Sequence, residues 1–259
     1  MTLWVVASLA AASPTPAEVA SGVAAYNAHA RFPLPDLNDG DLRRLAEGKL
    51  VRRRDHAGPQ EPMRVTGLIL TDHSRESLWV AIGCTHDTYI DGYYDIALTP
   101  PGPSEVWYGY LDLPKPFTDR HWVIDVVDNV AMAQATDNRA WEHYWTLTDG
   151  GIDKGRSAVQ SGPATEVTLE QFERAIYTPT NHGAWLAIRV DDRHTLLGYH
   201  VTSVIGGMIP DRLVAEYSAS TLKNMLNGIL ERAPQMLTHY DADHVREPGG
   251  DGKWIEPFQ

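Results

Sequence analysis

The feature that most constrains the fold is a long amphipathic helix that follows a series of strand-like segments. Its apolar residues recur at helical spacing over about five turns: Leu213, Val214, Tyr217, Leu222, Met225, Leu226, Ile229 and Leu230. Pro210 stands in the first turn, where its missing N–H costs nothing. Because an apolar helix face has to be covered, the sequence predicts that this helix packs on the strands.

The strand signal covers most of the chain before this helix. Two strands are predicted in KLVRRRDHA and MRVTGLILTD, and a helix in SRESLWVAIG, where Leu78 and Ile82 lie one turn apart. Further candidates are YYDIALT, EVWYGYLDL, HWVIDVVDNVAMA, RAWEHYWTLT, AWLAIRV and HTLLGYHVTSV. In RAWEHYWTL, the residues Trp141, His143 and Trp145 alternate with the others, which is typical of a strand with one mainly apolar face.

The remaining segments are predicted as connections and termini. Residues 13–39 are rich in Ala and Pro and indicate a linker or N-terminal extension, and DLRRLAEG indicates a short helix. TDGGIDKGRSAVQSGPATEV is predicted as a loop before a short helix in TLEQFERAI, and residues 238–259 as a surface tail. We therefore expect an α+β domain over residues 40–237, in which antiparallel strands form a curved sheet against the terminal helix.

The composition limits the partners of this domain. A net charge of -12 argues against nucleic acid, and against more than transient contact with an anionic membrane. Eight Trp and 11 Tyr against 4 Phe suit the wall of an apolar cavity that is not entirely dry. The single cysteine, Cys84, excludes an internal disulfide framework and is predicted as a small buried apolar group.

The first twelve residues have features of a targeting signal. An apolar run from Leu3 ends in three alanines before Ser13, which predicts a signal peptide over residues 1–12 and a periplasmic or secreted protein. The run is too short to span a bilayer. No Lys or Arg occurs before Arg31, which favours the alternative of an apolar N-terminal helix packed on the domain of a cytoplasmic protein.

Several stretches together resemble the START lipid-transfer domains. LPKPFTDRHWV is similar to the family segment in which two prolines precede a strand that begins with Arg-Asp. GAWLAIRVDDRHTLLGYHV and GGMIPDRLV resemble the family's last hairpin and the beginning of its C-terminal helix. SRESLWVAIG and LAEGKLVRR are similar to its early helix and first strand. The resemblance covers about residues 40–235 and is most specific in the last fifty. It extends to the helix-grip superfamily, with START proteins, plant allergens and polyketide cyclases.

This resemblance implies a helix-grip fold, in which a curved antiparallel sheet wraps around a long C-terminal helix and encloses an internal apolar cavity. The expected ligand is a lipid, sterol or similar hydrophobic small molecule. Where START domains have Arg-Asp, this chain has Arg120-His121. The cavity arginine of some sterol-binding members falls at Val126, which argues against an interior salt bridge at that point.

Two arguments select the candidate ligand-binding residues: the position that Arg120 has in the family, and the alternation of side chains along a strand. If Arg120 is placed as in the family, Trp122, Ile124 and Val126 share its side, and His121, Val123 and Asp125 lie on the other. The predicted ligand-binding residues are Tyr110, Arg120, Trp122, Ile124, Trp141, His143, Trp145, Trp185, Tyr199, Tyr217 and Met225. The alternative for the aromatic residues is plain core packing, and for His143 it is a structural hydrogen bond to a neighbour.

No catalytic motif stands out. The chain has no Gly-x-Ser-x-Gly, no His-Glu-x-x-His and no phosphate loop, and the metal-type residues of HYDADH lie in the predicted tail. We therefore predict no cofactor and no metal. The leading hypothesis is a monomeric, non-catalytic binder or carrier of a lipid-like ligand, entered through loops at Gly92, Gly206 and Gly207.

Two alternatives stay open. The first is a cyclase-, aromatase- or hydrolase-type enzyme that acts on a hydrophobic substrate in the same cavity, with His143 as the first candidate for proton transfer and Tyr110, Tyr199 and Arg120 beside it. The second is an interaction module whose interior is filled by its own side chains.

Overall fold

The computed structural model describes residues 13–58, 61–83, 92–204, 206–207, 211–240 and 247–256, the side chains of 211–220 and 239 excepted. Its helices are α1 Pro16–Asn27, α2 Asp39–Ala46, α3 Arg75–Gly83, α4 Val130–Ala135, α5 Gly151–Ser161, α6 Leu169–Arg174 and α7 Asp211–His239. Its strands are β1 Val51–His56, β2 Met63–Thr71, β3 Tyr93–Ala97, β4 Ser104–Leu111, β5 Arg120–Asp128, β6 Ala140–Leu147, β7 Ile176–Tyr177, β8 Thr180–Arg189 and β9 Thr195–Val204.

These nine strands form one sheet in the order β1-β2-β9-β8-β6-β5-β4-β3. All neighbours along this path are antiparallel, and the short β7 pairs in parallel with β5. The sheet is curved, and α7 lies on its inner face together with α3. The predicted α+β helix-grip architecture is therefore confirmed.

Each face of the sheet has its own helices. On the inner face, Leu222, Leu226 and Ile229 of α7 pack with α3 against residues of β2, β8 and β9. The outer face is covered at one end by α1 and α2 and at the other by α5 and α6. Most strands are therefore apolar on both sides, which explains their nearly continuous apolar sequences.

The N-terminal extension is part of this packing. Thr15 and Glu18 form a capping box at the start of α1, and Val19, Val23 and Tyr26 are buried against the outer face. The Tyr26 hydroxyl donates a hydrogen bond of 2.7 Å to Glu142 on β6. Residues 13–39, predicted as a linker or extension, therefore form an extension that packs on the domain.

The segment predicted as a loop after β6 contains α5. Its sequence, GIDKGRSAVQS, has few apolar residues because glycines form its contact with the sheet. A Cβ added to Gly151 would overlap the Tyr177 hydroxyl, and one added to Gly155 would lie 3.1 Å from the Tyr108 ring. Glycines lower the helical signal of the sequence while they let the helix approach the aromatic rings closely.

The long strand predicted in HWVIDVVDNVAMA is two elements. β5 ends at Asp128, and Asn129 then caps α4, because its side chain accepts a hydrogen bond from the backbone N–H of Met132. The apolar residues Met132 and Ala133 are buried in the helix. A short apolar helix and the end of a buried strand look alike in sequence, which explains the error.

The C-terminal residues 247–256 pack on the domain, although the sequence predicted a surface tail. The Trp79 indole N–H donates to the Pro248 carbonyl at 3.0 Å, and the Tyr240 hydroxyl donates to the Ile255 carbonyl at 3.1 Å. Ile255 is buried with α3 and α7. The segment is held through its backbone carbonyls, which any residue carries. The sequence of the segment, which has no apolar periodicity, therefore did not predict these contacts.

Some predictions fall outside the described residues: the signal peptide over 1–12, buried Cys84, and the metal-type residues of HYDADH beyond Tyr240. Along the described parts of the chain, no helix combines the length and apolar character needed to cross a bilayer. The same parts contain no cluster of His, Cys, Asp or Glu side chains placed to hold a metal ion.

Candidate ligand-binding site

Aromatic and polar side chains form cross-strand rows on the inner face. Directly paired residues share a face of a sheet, so each row follows from the register. The first row is Asp128, His143, Trp185 and Tyr199. The second is Glu105, Val126, Trp145, Gly183 and Val201. The third is Trp107, Ile124 and Leu147, and the fourth is Asp95, Gly109 and Trp122.

Two indoles in these rows lie along the sheet. Gly109 is the direct partner of Trp122, and a Cβ added to it would lie 2.5 Å from Cε2 of the indole. Gly183 is the direct partner of Trp145, and its added Cβ would lie 2.6 Å from Cζ2. A ring that lies over a glycine projects less into the space above the strands.

A recess remains above the central strands. Trp107, Trp122, Trp185, Tyr199 and Val201 are half-buried, although they lie on the covered face of the sheet. Ile124, Val126 and Trp145 are buried between them and form its floor. In a completely filled core these inward side chains would lose their accessible surface, so the described residues do not fully cover this part of the inner face.

The rings of the wall touch one another. Tyr93 stacks on Trp122 with 5.9 Å between ring centroids. Tyr199 contacts Trp145 at 5.5 Å and Trp185 at 4.6 Å. Such contacts hold the rings in place, so the apolar wall is preformed.

A histidine–carboxylate pair lies at one end of the recess. Nδ1 of His143 is 2.7 Å from Oδ1 of Asp128, whose side chain is only 2% exposed. The His143 side chain is 28% exposed and contacts the Trp79 ring edge to face. Burial alone would lower the pKa of His143, but the hydrogen bond and charge of Asp128 outweigh it and raise this pKa.

Two further carboxyl groups stand near this pair. Glu105 accepts hydrogen bonds from the Trp107 indole N–H at 2.7 Å and from the backbone of Gly102 at 2.8 Å. Glu247, from the C-terminal segment, has its pKa raised to about 7 by burial and by the charge of Glu105. This end of the recess is therefore acidic.

Another carboxyl group, Asp95 on β3, lies beside the aromatic wall. Burial raises its pKa to about 7, while a hydrogen bond from Tyr93 and the charge of His143 act in the opposite direction. Oδ1 of Asp95 is buried without a hydrogen-bond partner among the described residues. Burial raises the pKa of Tyr199, and the charge of Asp95 adds to this effect.

Arg120 shares the inner side of β5 but binds the loops at one end of it. Its guanidinium donates to the carbonyls of Thr118, Asp119 and Gly206, the last at 2.7 Å. The side chain is buried, and burial lowers its pKa. Arg120 therefore ties the β4–β5 loop to the loop that precedes α7, which is a structural role.

The structure brings most of the predicted site residues to the inner face. Trp122, Ile124, Trp145, Trp185, Tyr199 and His143 surround the recess. Trp141 is also on this face but is buried with α3 and α7, with the Arg75 guanidinium 3.6 Å from its ring centroid. Met225 is half-buried on α7, and the side chain of Tyr217 lies outside the described residues.

Tyr110 is the exception among the predicted residues. It lies on the outer face, in the core under α5 and α6, and its hydroxyl donates a 2.6 Å hydrogen bond to Asp119. Its direct partner is His121, which the sequence had placed on that outer side. The prediction for Tyr110 is therefore corrected: it is a core residue of the outer layer.

The sequence pattern did not identify five further residues of the site: Trp107, Tyr93, Asp95, Asp128 and Glu247. Alternation in YYDIALT and EVWYGYLDL groups Tyr93 with Asp95 and separates Trp107 from Tyr108 and Tyr110. That signal divides each strand into two faces. It does not tell which face is inner, because both faces of β4 carry aromatic residues.

The curved sheet, its row of inner aromatic residues and the terminal helix define a START-like, helix-grip fold. The STAR-related lipid transfer protein from Xanthomonas axonopodis (fragment 25–204) matches with a TM-score of 0.50 and 14% identity, over 73% of this chain and 95% of that chain. Human StAR-related lipid transfer protein 5 matches with a TM-score of 0.49 and 12% identity, over 85% of this chain and 97% of that chain.

A third solved structure has a different described activity. The Zhui aromatase/cyclase from Streptomyces sp. R1128 matches with a TM-score of 0.43 and 11% identity, over 70% of this chain and 98% of that chain. No family model matches the chain, and no curated protein matches it. At these identities the similarity to the Xanthomonas structure shows the fold alone.

Proposed function

We propose that this protein binds and carries a hydrophobic, lipid-like ligand in the recess above its central strands. The observation that carries this proposal is the half-buried aromatic wall of Trp107, Trp122, Trp185 and Tyr199 on the inner face of the sheet. An apolar wall with a few placed polar groups is typical of small-molecule sites. The START-like fold supports the proposal by analogy.

The energetics favour an alkyl or ring-containing ligand. Each buried methylene contributes about 0.8 kcal/mol, so a twelve-carbon chain gains about 10 kcal/mol before the entropy costs of binding are subtracted. No bond has to be made or broken to shield such a molecule from water. Binding and release are then sufficient for a carrier.

Entry requires a gate, and we place it at the loops of Gly92, Gly206 and Gly207. All three glycines have positive φ, between 68° and 75°. Arg120 donates a hydrogen bond to the Gly206 carbonyl, so one side chain of β5 holds this glycine. Brief contact of these loops with a membrane would give a lipid its route into the recess.

Mass spectrometry of the purified protein under native conditions tests the proposal. We expect a co-purifying lipid-sized adduct that is lost on denaturation, and uptake of a fluorescent fatty acyl probe by the delipidated protein. Trp185→Ala should weaken uptake several-fold, because it removes one wall ring. Trp254→Ala is the matched control, since that indole is 49% exposed on the C-terminal segment.

Two results would contradict the carrier function. One is a delipidated protein that accepts neither acyl nor sterol probes, and the other is uptake that Trp185→Ala and Trp254→Ala reduce equally. In the second case the probe would be binding to the surface.

The second candidate function is a cyclase-, aromatase- or hydrolase-type enzyme. The observation that favours it is the His143–Asp128 pair, in which the carboxylate orients an imidazole that borders the recess. This function predicts product formation from hydrophobic substrates that His143→Ala abolishes. A carrier predicts no turnover in either the unmodified protein or this variant.

We also propose that the protein is exported as a monomer, with cleavage after Ala12. The capping box of α1 begins at Thr15, so cleavage at this point would leave the packed extension complete. Intact-mass analysis of protein produced with its own N-terminus tests the cleavage, and light scattering tests the monomer. A mature protein that keeps residues 1–12 would support the cytoplasmic alternative.

A further inference from the structure

Asp95 has a place in the recess that the general binding function does not explain. It is a carboxyl group on the inner face, in the same row as Trp122, with a buried oxygen that lacks a hydrogen-bond partner among the described residues. An isolated carboxylate in an apolar surrounding is costly unless a cation or hydrogen bonds compensate it. Tyr93 donates a hydrogen bond to this carboxyl group, but the buried Oδ1 still lacks a partner among the described residues.

The charged and titratable groups around Asp95 do not neutralise it. Tyr93 on its own strand and Tyr199 on β9 are neutral phenols with raised pKa values. His143 on β6 lowers the pKa of Asp95, but its Nδ1 is already bonded to Asp128. Among the described residues, no Lys or Arg forms an ion pair with Asp95.

The surroundings of Asp95 are aromatic. Tyr93 stacks on Trp122 at one side, and Tyr199 with its neighbours Trp145 and Trp185 forms the other part of the wall. Aromatic faces attract cations, and the attraction grows where water is excluded. A carboxylate next to such faces is the arrangement that favours a weakly hydrated, positively charged nitrogen.

We propose that the ligand of this recess carries a positively charged nitrogen, held by the carboxylate of Asp95 and the rings of Tyr93, Trp122 and Tyr199. The ligand class is then a cationic amphiphile, with an ammonium head at Asp95 and an apolar body along the wall. This inference rests on the proposed binding function. It adds the sign of the ligand's charge and names Asp95 as the residue that recognises this charge.

Three probes with the same twelve-carbon chain separate the possibilities. They are dodecyltrimethylammonium, 1-dodecanol and dodecyl sulfate, titrated below their micelle concentrations into delipidated protein at pH 8 and followed by tryptophan fluorescence. We expect the cation to bind at least about tenfold more tightly than the alcohol, and the sulfate more weakly than both. The comparison uses the unmodified protein, so it does not depend on any variant folding.

Asp95→Asn then identifies the residue. The variant should lose most of the tenfold preference for the cation and keep the affinity for dodecanol. Asp149→Asn, at an exposed loop position, changes the net charge equally and should leave all three affinities unchanged. The quaternary ammonium does not titrate, so its affinity should rise between pH 6 and 8 in the unmodified protein, and this rise should be smaller in Asp95→Asn, where Glu247 and His143 still titrate but Asp95 does not.

The outcomes distinguish this inference from the proposed function. Equal binding of all three probes, tighter binding of dodecyl sulfate, or a cation preference that survives Asp95→Asn would overturn the inference and leave the carrier function intact. If none of the three probes binds, the carrier function fails and this inference fails with it.

Discussion

Trp122 lies flat across Gly109, its direct partner on the neighbouring strand, so one residue without a side chain determines how far an indole extends into the interior. The same relationship holds between Trp145 and Gly183. The aromatic wall therefore depends on pairs of residues that are distant in sequence. Such pairs are accessible to mutation.

Gly109→Ala should displace the Trp122 ring. The added Cβ would lie 2.5 Å from Cε2 of the indole, so we expect a loss of about 1–3 kcal/mol in the free energy of unfolding, measured by urea denaturation. Gly102→Ala is the control, because a Cβ there meets nothing within 4 Å. Equal stability of the two variants would show that the indole has another position available.

Asp95 should make stability depend on pH. Its folded-state pKa is raised to about 7 from an ordinary 3.8, so its stabilising contribution is complete below about pH 4 and is lost as the pH rises through 7. Asp95→Asn should remove this loss and be about 1–2 kcal/mol more stable than the unmodified protein at pH 8. Urea denaturation at pH 5 and pH 8 measures both effects.

Glu247 gives an internal comparison for this pH dependence. Its pKa is also raised to about 7, so Glu247→Gln should reduce the same loss of stability. The binding of a cationic probe should change more in Asp95→Asn than in Glu247→Gln, because the charged nitrogen is proposed to contact Asp95 directly. A stability profile unchanged by both substitutions would contradict the burial of these carboxyl groups.

Asp128→Asn should lower the pKa of His143. The hydrogen bond and charge of Asp128 hold this pKa above its ordinary value against the effect of burial. The raised pKa stabilises the fold at low pH, and this contribution is lost as the pH rises through it. NMR titration of the His143 ring is the measurement. Asp191→Asn, beside His194, should leave that titration unchanged.

Tyr26→Phe should show that α1 belongs to the domain. Its hydroxyl donates to Glu142, a completely buried carboxylate that also accepts from the backbone of Arg31 at 3.0 Å and from Asn129 at 2.6 Å. We expect a loss of about 1–3 kcal/mol in thermal or urea unfolding. Tyr144→Phe, whose hydroxyl has no described hydrogen bond, should stay within about 0.5 kcal/mol of the unmodified protein.

The sequence predicted the fold well where periodicity was strong. The apolar spacing of α7 and the alternation in β6 led to the correct sheet-and-helix architecture, and the alternation along β5 correctly separated Trp122 and Ile124 from His121 and Val123. These predictions succeeded because a strand has only two faces. One correctly oriented residue orients the whole strand.

The errors have physical causes of the same kind. Tyr110 and Trp107 both lie on β4, and α5 and α6 make the outer face as apolar as the inner one, so the sequence did not distinguish them. Helix α5 was missed because glycines replace apolar residues at its contact. Asp95 and Glu247 look like ordinary surface acids in sequence, and only the curvature of the sheet and the path of the C-terminal segment bury them.

The anchoring of residues 247–256 has a mechanical consequence. Pro248 is bonded to Trp79 on α3, and Ile255 to Tyr240 just after α7, so one short segment fastens the ends of two helices. An outward movement of the C-terminal end of α7 would have to break these hydrogen bonds and would move Glu247 away from His143. The electrostatic potential felt by a guest molecule and the freedom of that helix terminus are therefore coupled through ten residues.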